Sequence, residues 1–232
     1  MNNFRPTNSR ELLAQAEAEA KARVKAGQPA QISPATIVNS AKDEATVYVY
    51  DAIGGWWGID PKEWVPAFAA IKAKTIHLRI NSPGGGVLDA EAMRVVVAQH
   101  PSKVIAHIDG MAASAATGLA IAAREVEMAS GAMFMVHNAW GCCCGGELEM
   151  LDYAALLRRT SANIVKTYQR RTGKPEAQIK KWMDSETWFT ADEAKAAGFV
   201  DRIFEAGASN AADPDKEKRS RALKLQQLSI SI

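Results

Sequence analysis

The chain has 232 residues, 47% of them hydrophobic, and its 28 basic and 26 acidic side chains leave a formal net charge of +2. That length can bury one sizeable core but not two full domains, and charges mixed along the chain exclude a strongly basic surface, so nucleic acid is not an expected partner. The N-terminal stretch has no unbroken apolar run, and no later segment reaches the ~20 apolar residues of a membrane-spanning helix, which predicts a soluble, unsecreted, cytoplasmic protein.

Residues 8–25 read as a helix: Asn8 can cap it, Glu11 holds the capping-box position, and Glu17 with Lys21 and Glu19 with Arg23 are favourable i,i+4 pairs. Its apolar face is mostly alanine, which predicts weak packing. Gly27, Pro29 and Pro34 break the pattern, so residues 1–43 are expected to form a helical arm and linker before a body that starts at residue 44. In that body, strand-like stretches at 46–50, 75–80, 103–108, 125–128 and 133–136 take turns with helical stretches at 61–71, 88–99 and 114–124. The alternation predicts an α/β fold, a sheet covered by helices.

After a glycine-rich stretch at 141–146, a long helical pattern covers 147–171, with Leu148, Leu151, Ala155 and Tyr168 recurring on one side. Gly173 stops it and Pro175 opens another helix, whose Ile179, Trp182 and Met183 share a face. The long helix suits either an oligomer contact or packing within one subunit. The body is expected to end at residue 205, and 206–232 reads as a mobile charged tail. Cys142, Cys143 and Cys144 are consecutive, which gives no disulfide framework and fits a reducing compartment. Without paired CxxC spacing they predict a tight loop rather than a metal site, and no cofactor is expected.

Three segments carry chemistry. Asn81-Ser82-Pro83-Gly84-Gly85-Gly86 closes an apolar strand; its glycines let backbone amides approach a ligand, and with no following lysine it fits an oxyanion hole better than a phosphate loop. Ser114 sits where a strand meets an alanine-rich helix, so it is either a helix cap or a nucleophile near the positive end of the helix dipole. Ala112 and Ala116 rule out the G-x-S-x-G elbow. His137 follows the apolar run 133–136, whereas His77 and His107 lie within strands and His100 ends a helix, so His137 is the best-placed general base.

INSPGG, GMAAS, a hydrophobic strand ending in histidine, and FTADEAKAAGFVDRI occur in that order. Together they resemble the ClpP family of self-compartmentalising serine peptidases over residues 46–205. YDAIGGWWGID and MDSETWFTADEA resemble the branch encoded by phages and prophages, whose members are thought to act as head maturation proteases. The resemblance implies a ClpP/crotonase-like fold with a projecting handle helix. It also implies Ser114 as nucleophile, His137 as base, Gly85 and Ala115 N–H groups as oxyanion hole, and a substrate strand along Gly84, Gly86 and Val87. The family's usual aspartate position falls on Trp182, so Asp184 is the expected acid and Glu186 the runner-up. Implied partners are a polypeptide substrate, further copies in a ring or stacked heptamers, and either a capsid or scaffold protein or an AAA+ ATPase. Within a phage, the site of action would be the host cytoplasm or the procapsid. A crotonase-like acyl-CoA enzyme and an inactive assembly scaffold are the alternative readings. Trp56, Trp57 and Trp140 suit either a channel wall or the core.

Overall fold

The computed structural model describes residues 8–26, 28, 37–41, 43–55 and 58–205. In chain order they form α1 (Ser9–Lys25), β1 (Ile37–Ala41), β2 (Glu44–Val49), α2 (Pro61–Ala69), β3 (Thr75–Ser82), α3 (Val87–Gln99), β4 (Lys103–Ala113) and α4 (Ala115–Ala120). There follow β5 (Glu125–Ala129), β6 (Met133–Val136), α5 (Glu147–Thr172), α6 (Glu176–Asp184), β7 (Thr187–Phe189), α7 (Ala191–Ala197) and β8 (Arg202–Phe204). Trp56, Trp57, the linker residues Gly27, Pro29 and Pro34, and the tail 206–232 lie outside the described residues.

The main sheet runs β1-β2-β3-β4-β5-β8, antiparallel only between β1 and β2. The period-2 pattern of β3 explains its two faces. Ile76, Leu78 and Ile80 point into a core shared with Trp64, Phe68, Met93, Leu119, Phe134 and Phe199. On the opposite face His77 and Arg79 meet His107 and Asp109 of β4. Parallel sheets are usually covered on both sides, so this polar, half-buried face is unusual.

The bend in β4 positions the site. Its first half, through Ile108, pairs with β5, while Met111, Ala112 and Ala113 pair with β6. Between β3 and β4 the register runs Ile80 to Ile108 and then Ser82 to Ala112, so extra residues bulge from β4 around Asp109 and Gly110. A side chain at Gly110 would collide with Asn81, a Cβ there lying 2.6 Å from Asn81 Oδ1. β6 and β7 form a short antiparallel pair that forks away from the main sheet.

Several expectations change. The sheet starts at Ile37, not at residue 44, because β1 pairs with β2. The helix expected over 114–124 contracts to Ala115–Ala120, and two three-residue strands, β7 and β8, go beyond the pattern read from the sequence. The apolar stripe of α5 divides: Tyr168 is buried, whereas Leu148 and Leu151 are 73% and 59% exposed, so the N-terminal half projects from the body. Among the described residues no helix is long and apolar enough to cross a membrane.

Candidate active site

Ser114 joins the end of β4 to α4 with φ 55° and ψ −126°, a conformation that L-residues with a Cβ rarely adopt. Its N–H donates to Met135 O at 2.9 Å, which fixes the turn against β6. A serine in the N-cap place would ordinarily turn its hydroxyl onto the helix amides, but Ser114 makes no such bond. Its Oγ instead lies 2.6 Å from His137 Nε2. The cap alternative is thereby decided: the backbone occupies the cap position while the hydroxyl faces the imidazole.

Asp184, the expected acid, is the last residue of α6, and its Oδ1 accepts from Asn138 Nδ2 at 2.7 Å. That bond pins the loop after His137. Glu186 places Oε2 3.7 Å from His137 Nδ1, a separation longer than a direct hydrogen bond. The difference is one of register. Val136 pairs with Thr187 across β6 and β7, so the antiparallel geometry sets the residue that follows β6, His137, opposite the residue that precedes β7, Glu186. Glu186 has φ 44°, and the described non-glycine residues with positive φ are Ser114 and Glu186, the two that flank His137. Strain of this kind concentrates at functional sites. Trp182 packs edge-on to Phe189 at 5.3 Å between ring centres, half-buried against the core.

The His137 side chain is only 10% exposed. Burial holds its imidazole below the usual histidine range; Glu186 opposes that shift and the Arg10 charge adds to it. It is therefore neutral at pH 7. Because Nε2 faces a hydroxyl that can donate, the tautomer that fits carries its proton on Nδ1, toward Glu186.

The glycine turn presses against Ser114. With Gly84 at φ 91°, a Cβ there would lie 2.6 Å from Ala113 O and 2.9 Å from Ala115 N, an approach only glycine permits. Ile53 N–H donates to Gly84 O and Gly86 N–H donates to Ile53 O, both at 2.8 Å. Gly84 O and Gly86 N–H are thus engaged by Ile53, and Val87 opens α3. The bridge turns the N–H and C=O of Gly85 to the opposite side. Ala115 opens α4, so its N–H has no partner within the helix.

A serine hydroxyl, a neutral buried imidazole, a carboxylate behind it and two turn amides make a hydrolase-like constellation, and the comparisons with known proteins agree. The Clp protease family model matches residues 65–207, which include all of these groups. This chain belongs to the Clp protease family. It is thus a serine-type peptidase, a hydrolase. Proteins named ATP-dependent Clp protease proteolytic subunit, from Streptococcus pyogenes serotype M5 (strain Manfredo) and Streptococcus equi subsp. equi (strain 4047), are each 32% identical over 136 residues, covering 57% of this chain and 69% of theirs. A ClpP1 mutant from Listeria monocytogenes shares the fold with a TM-score of 0.61 at 25% identity, over 69% of this chain and 91% of that one.

In this Clp protease the site opens into a cavity of about 770 Å³ whose walls include Gly85, Leu88, Ser114, His137, Trp140 and Tyr168. One face of α1, at Arg10, Leu13, Ala14 and Glu17, closes part of it, and the Arg10 guanidinium stands 5.2 Å from the centre of the Trp140 ring. The arm is thus part of the cavity wall, a role its alanine-rich sequence did not suggest. Asn8 does cap α1, and Glu17 pairs with Lys21 at 2.8 Å. Cys142, Cys143 and Cys144 are free thiols in the loop before α5. Among the described residues no group of three His, Cys, Asp or Glu side chains could hold a metal ion.

The roles of three residues near the site escaped the sequence reading. Ser82 Oγ accepts from Gly84 N–H at 3.2 Å, Thr117 Oγ1 meets the Ser114 carbonyl at 2.5 Å, and Tyr168 OH meets Thr117 Oγ1 at 2.6 Å. Ser82 and Thr117 are fully buried among apolar residues, and a buried hydroxyl is tolerated where it has partners. Nothing in a lone serine or threonine of an apolar stretch announces which turn it will brace.

Proposed function

We propose that the chain is an endopeptidase that cleaves polypeptides through Ser114, His137 and Glu186. The 2.6 Å contact between Ser114 Oγ and His137 Nε2 carries this reading. Ser114 Oγ attacks the scissile carbonyl carbon while its proton passes to Nε2. The N–H groups of Gly85 and Ala115 stabilise the resulting oxyanion. Collapse breaks the C–N bond, the imidazolium protonates the leaving amine, and an acyl-serine remains. Water then attacks the ester, giving its proton to Nε2, and the second collapse releases the acid and returns the proton to Ser114. Glu186 favours the Nδ1–H tautomer and the transient imidazolium, and Asp184 steadies the loop through Asn138.

The subunits form rings, and the exposed Leu148, Met150, Leu151 and Leu156 on the projecting half of α5 are suited to a subunit contact. The substrate proposed is a capsid or scaffold protein processed during phage head maturation. That assignment rests on YDAIGGWWGID and MDSETWFTADEA, which resemble the phage and prophage branch. A second reading, a subunit fed by an AAA+ unfoldase, is favoured by the ATP-dependent relatives.

A fluorophosphonate probe tests the chemistry: it should label wild-type protein at Ser114 and leave Ser114→Ala unlabelled, and absence of labelling where a ClpP control reacts would remove the serine mechanism. Co-expression with a phage major capsid protein tests the role. Cleavage with wild type but not with Ser114→Ala supports maturation. Cleavage of unfolded substrates only when an AAA+ partner is supplied supports the second reading.

A further inference from the structure

The Ser114 backbone is held from both sides. Its N–H is bound by Met135 O, and its carbonyl receives both the Thr117 N–H, at 3.0 Å, and the Thr117 hydroxyl, at 2.5 Å. A threonine hydroxyl has one proton, and a carbonyl can only accept, so that proton is committed to Ser114 O. The 2.6 Å contact between Thr117 Oγ1 and Tyr168 OH must then be donated by the phenol. Burial pushes the Tyr168 phenol up to about 12, so it remains a donor across the working pH range. Both side chains are almost wholly enclosed, with Thr117 at 0% and Tyr168 at 3% exposure.

The arrangement reverses an ordinary helix start. Normally the serine side chain would reach forward to the amide three residues on. Here the side chain three residues on reaches back to the serine, and the Ser114 hydroxyl is left for His137. Tyr168 belongs to α5, while Thr117 belongs to α4, so the relay also ties the nucleophile turn to the long helix. Tyr168 is located by its edge contact with Phe199, 5.4 Å between ring centres, in a core that also holds Phe134 of β6.

We propose that Thr117 and Tyr168 are positioning residues for the nucleophile: the relay from Tyr168 OH through Thr117 Oγ1 to the Ser114 carbonyl holds the left-handed turn that aims Oγ at His137. Neither touches the reacting atoms in this role; each acts through Ser114. The inference rests on the serine-peptidase reading and assigns which buried groups make that serine competent.

The test uses the full chain carrying Thr117→Val, Thr117→Ser, Tyr168→Phe or the Val/Phe pair. Active sites are titrated with a fluorophosphonate, and kcat and KM are measured per titrated site on a fluorogenic peptide amide. Thr117→Val should lower kcat about 10- to 100-fold, the scale for misplacing a reacting group, with KM within about twofold. Tyr168→Phe should lower kcat about three- to tenfold, as for loss of one neutral hydrogen bond. Thr117→Ser should stay within about threefold of wild type, because it keeps the donor. The double variant should be no slower than Thr117→Val, since Tyr168 acts through Thr117. A merely structural role would reduce the number of titratable sites and leave kcat per site unchanged; that result, in Thr117→Val or, should it not fold, in Tyr168→Phe, overturns the inference. Wild type without Ser114-dependent labelling overturns the serine reading itself, whereas normal wild-type labelling with unaltered variants overturns only the relay.

Discussion

His137 and His107 have similar surroundings. Each side chain is almost buried, at 10% and 12% exposure, and each has a glutamate near Nδ1, at 3.7 Å for Glu186 and 3.1 Å for Glu127. Burial lowers the pKa of both, and in both the glutamate opposes the shift. By carboxylate distance alone His107 is the better dyad. Yet its Nε2 meets His77 Nδ1 at 2.9 Å on regular strands of the open sheet face, where Arg79 pairs with Asp109 and Arg202 with Glu127. His137 meets a hydroxyl on a strained turn beside a cavity. A buried histidine and carboxylate are therefore a structural pairing until a nucleophile and room for substrate are added.

The comparison is broken most severely by removing the proposed nucleophile. Ser114→Ala should reduce peptide hydrolysis by about 10⁴-fold or more, measured as kcat on a fluorogenic peptide. His107→Gln, measured beside it, should stay within about twofold because it touches no reacting group. Equal losses in the two variants would mean that the sheet-face cluster also takes part in turnover.

Next in size is the choice between carboxylates. Glu186→Gln should lower kcat by roughly 10²- to 10⁴-fold, as expected when the group that sets the imidazole tautomer is lost. Asp184→Asn, which disturbs the Asn138 bond, should lower it about tenfold or less. The reverse order would return the acid role to Asp184 and show that the loop rearranges when substrate binds.

A smaller effect sharpens the electrostatics of His137. With its pKa held below the ordinary 6.5, the acidic limb of kcat/KM should lie below pH 6.5. Arg10→Gln removes a charge that disfavours the imidazolium, so the limb should move up in pH; Glu186→Gln removes a charge that favours it, so the limb should move down. A limb unmoved by Arg10→Gln would place α1 away from the site in solution.

The smallest effect concerns His107. Its folded-state pKa lies below its unfolded value, so the unfolded chain takes up a proton first as pH falls. Its contribution to stability is thus complete above pH 6.5 and is lost as pH falls through the lower, folded-state value. The urea midpoint of wild type should drop over this window, and His107→Gln should show a shallower drop. Identical slopes would mean that the charge on His107 does not differ between the two states.

Much of this protein was determined by its sequence alone. Hydrophobic alternation at 75–80 and the unbroken apolar run at 133–136 located strands, Gly173 ended the long helix in a left-handed cap, and the order of the glycine turn, Ser114 and His137 pointed to the proposed chemistry. These signals are local, since periodicity and cap chemistry act within a few residues. The choice of carboxylate facing His137 was not local. Asp184 and Glu186 differ by two positions in a segment where a helix gives way to a three-residue strand, too short to show a period, and only the pairing of Thr187 with Val136 sets Glu186 across from His137. The same holds for Thr117 and Tyr168, which meet across 51 positions of chain, and for α1, whose face becomes a cavity wall only once the body exists. Side-chain type and spacing identify which groups can react, whereas strand register and the packing of distant helices decide which of them face one another.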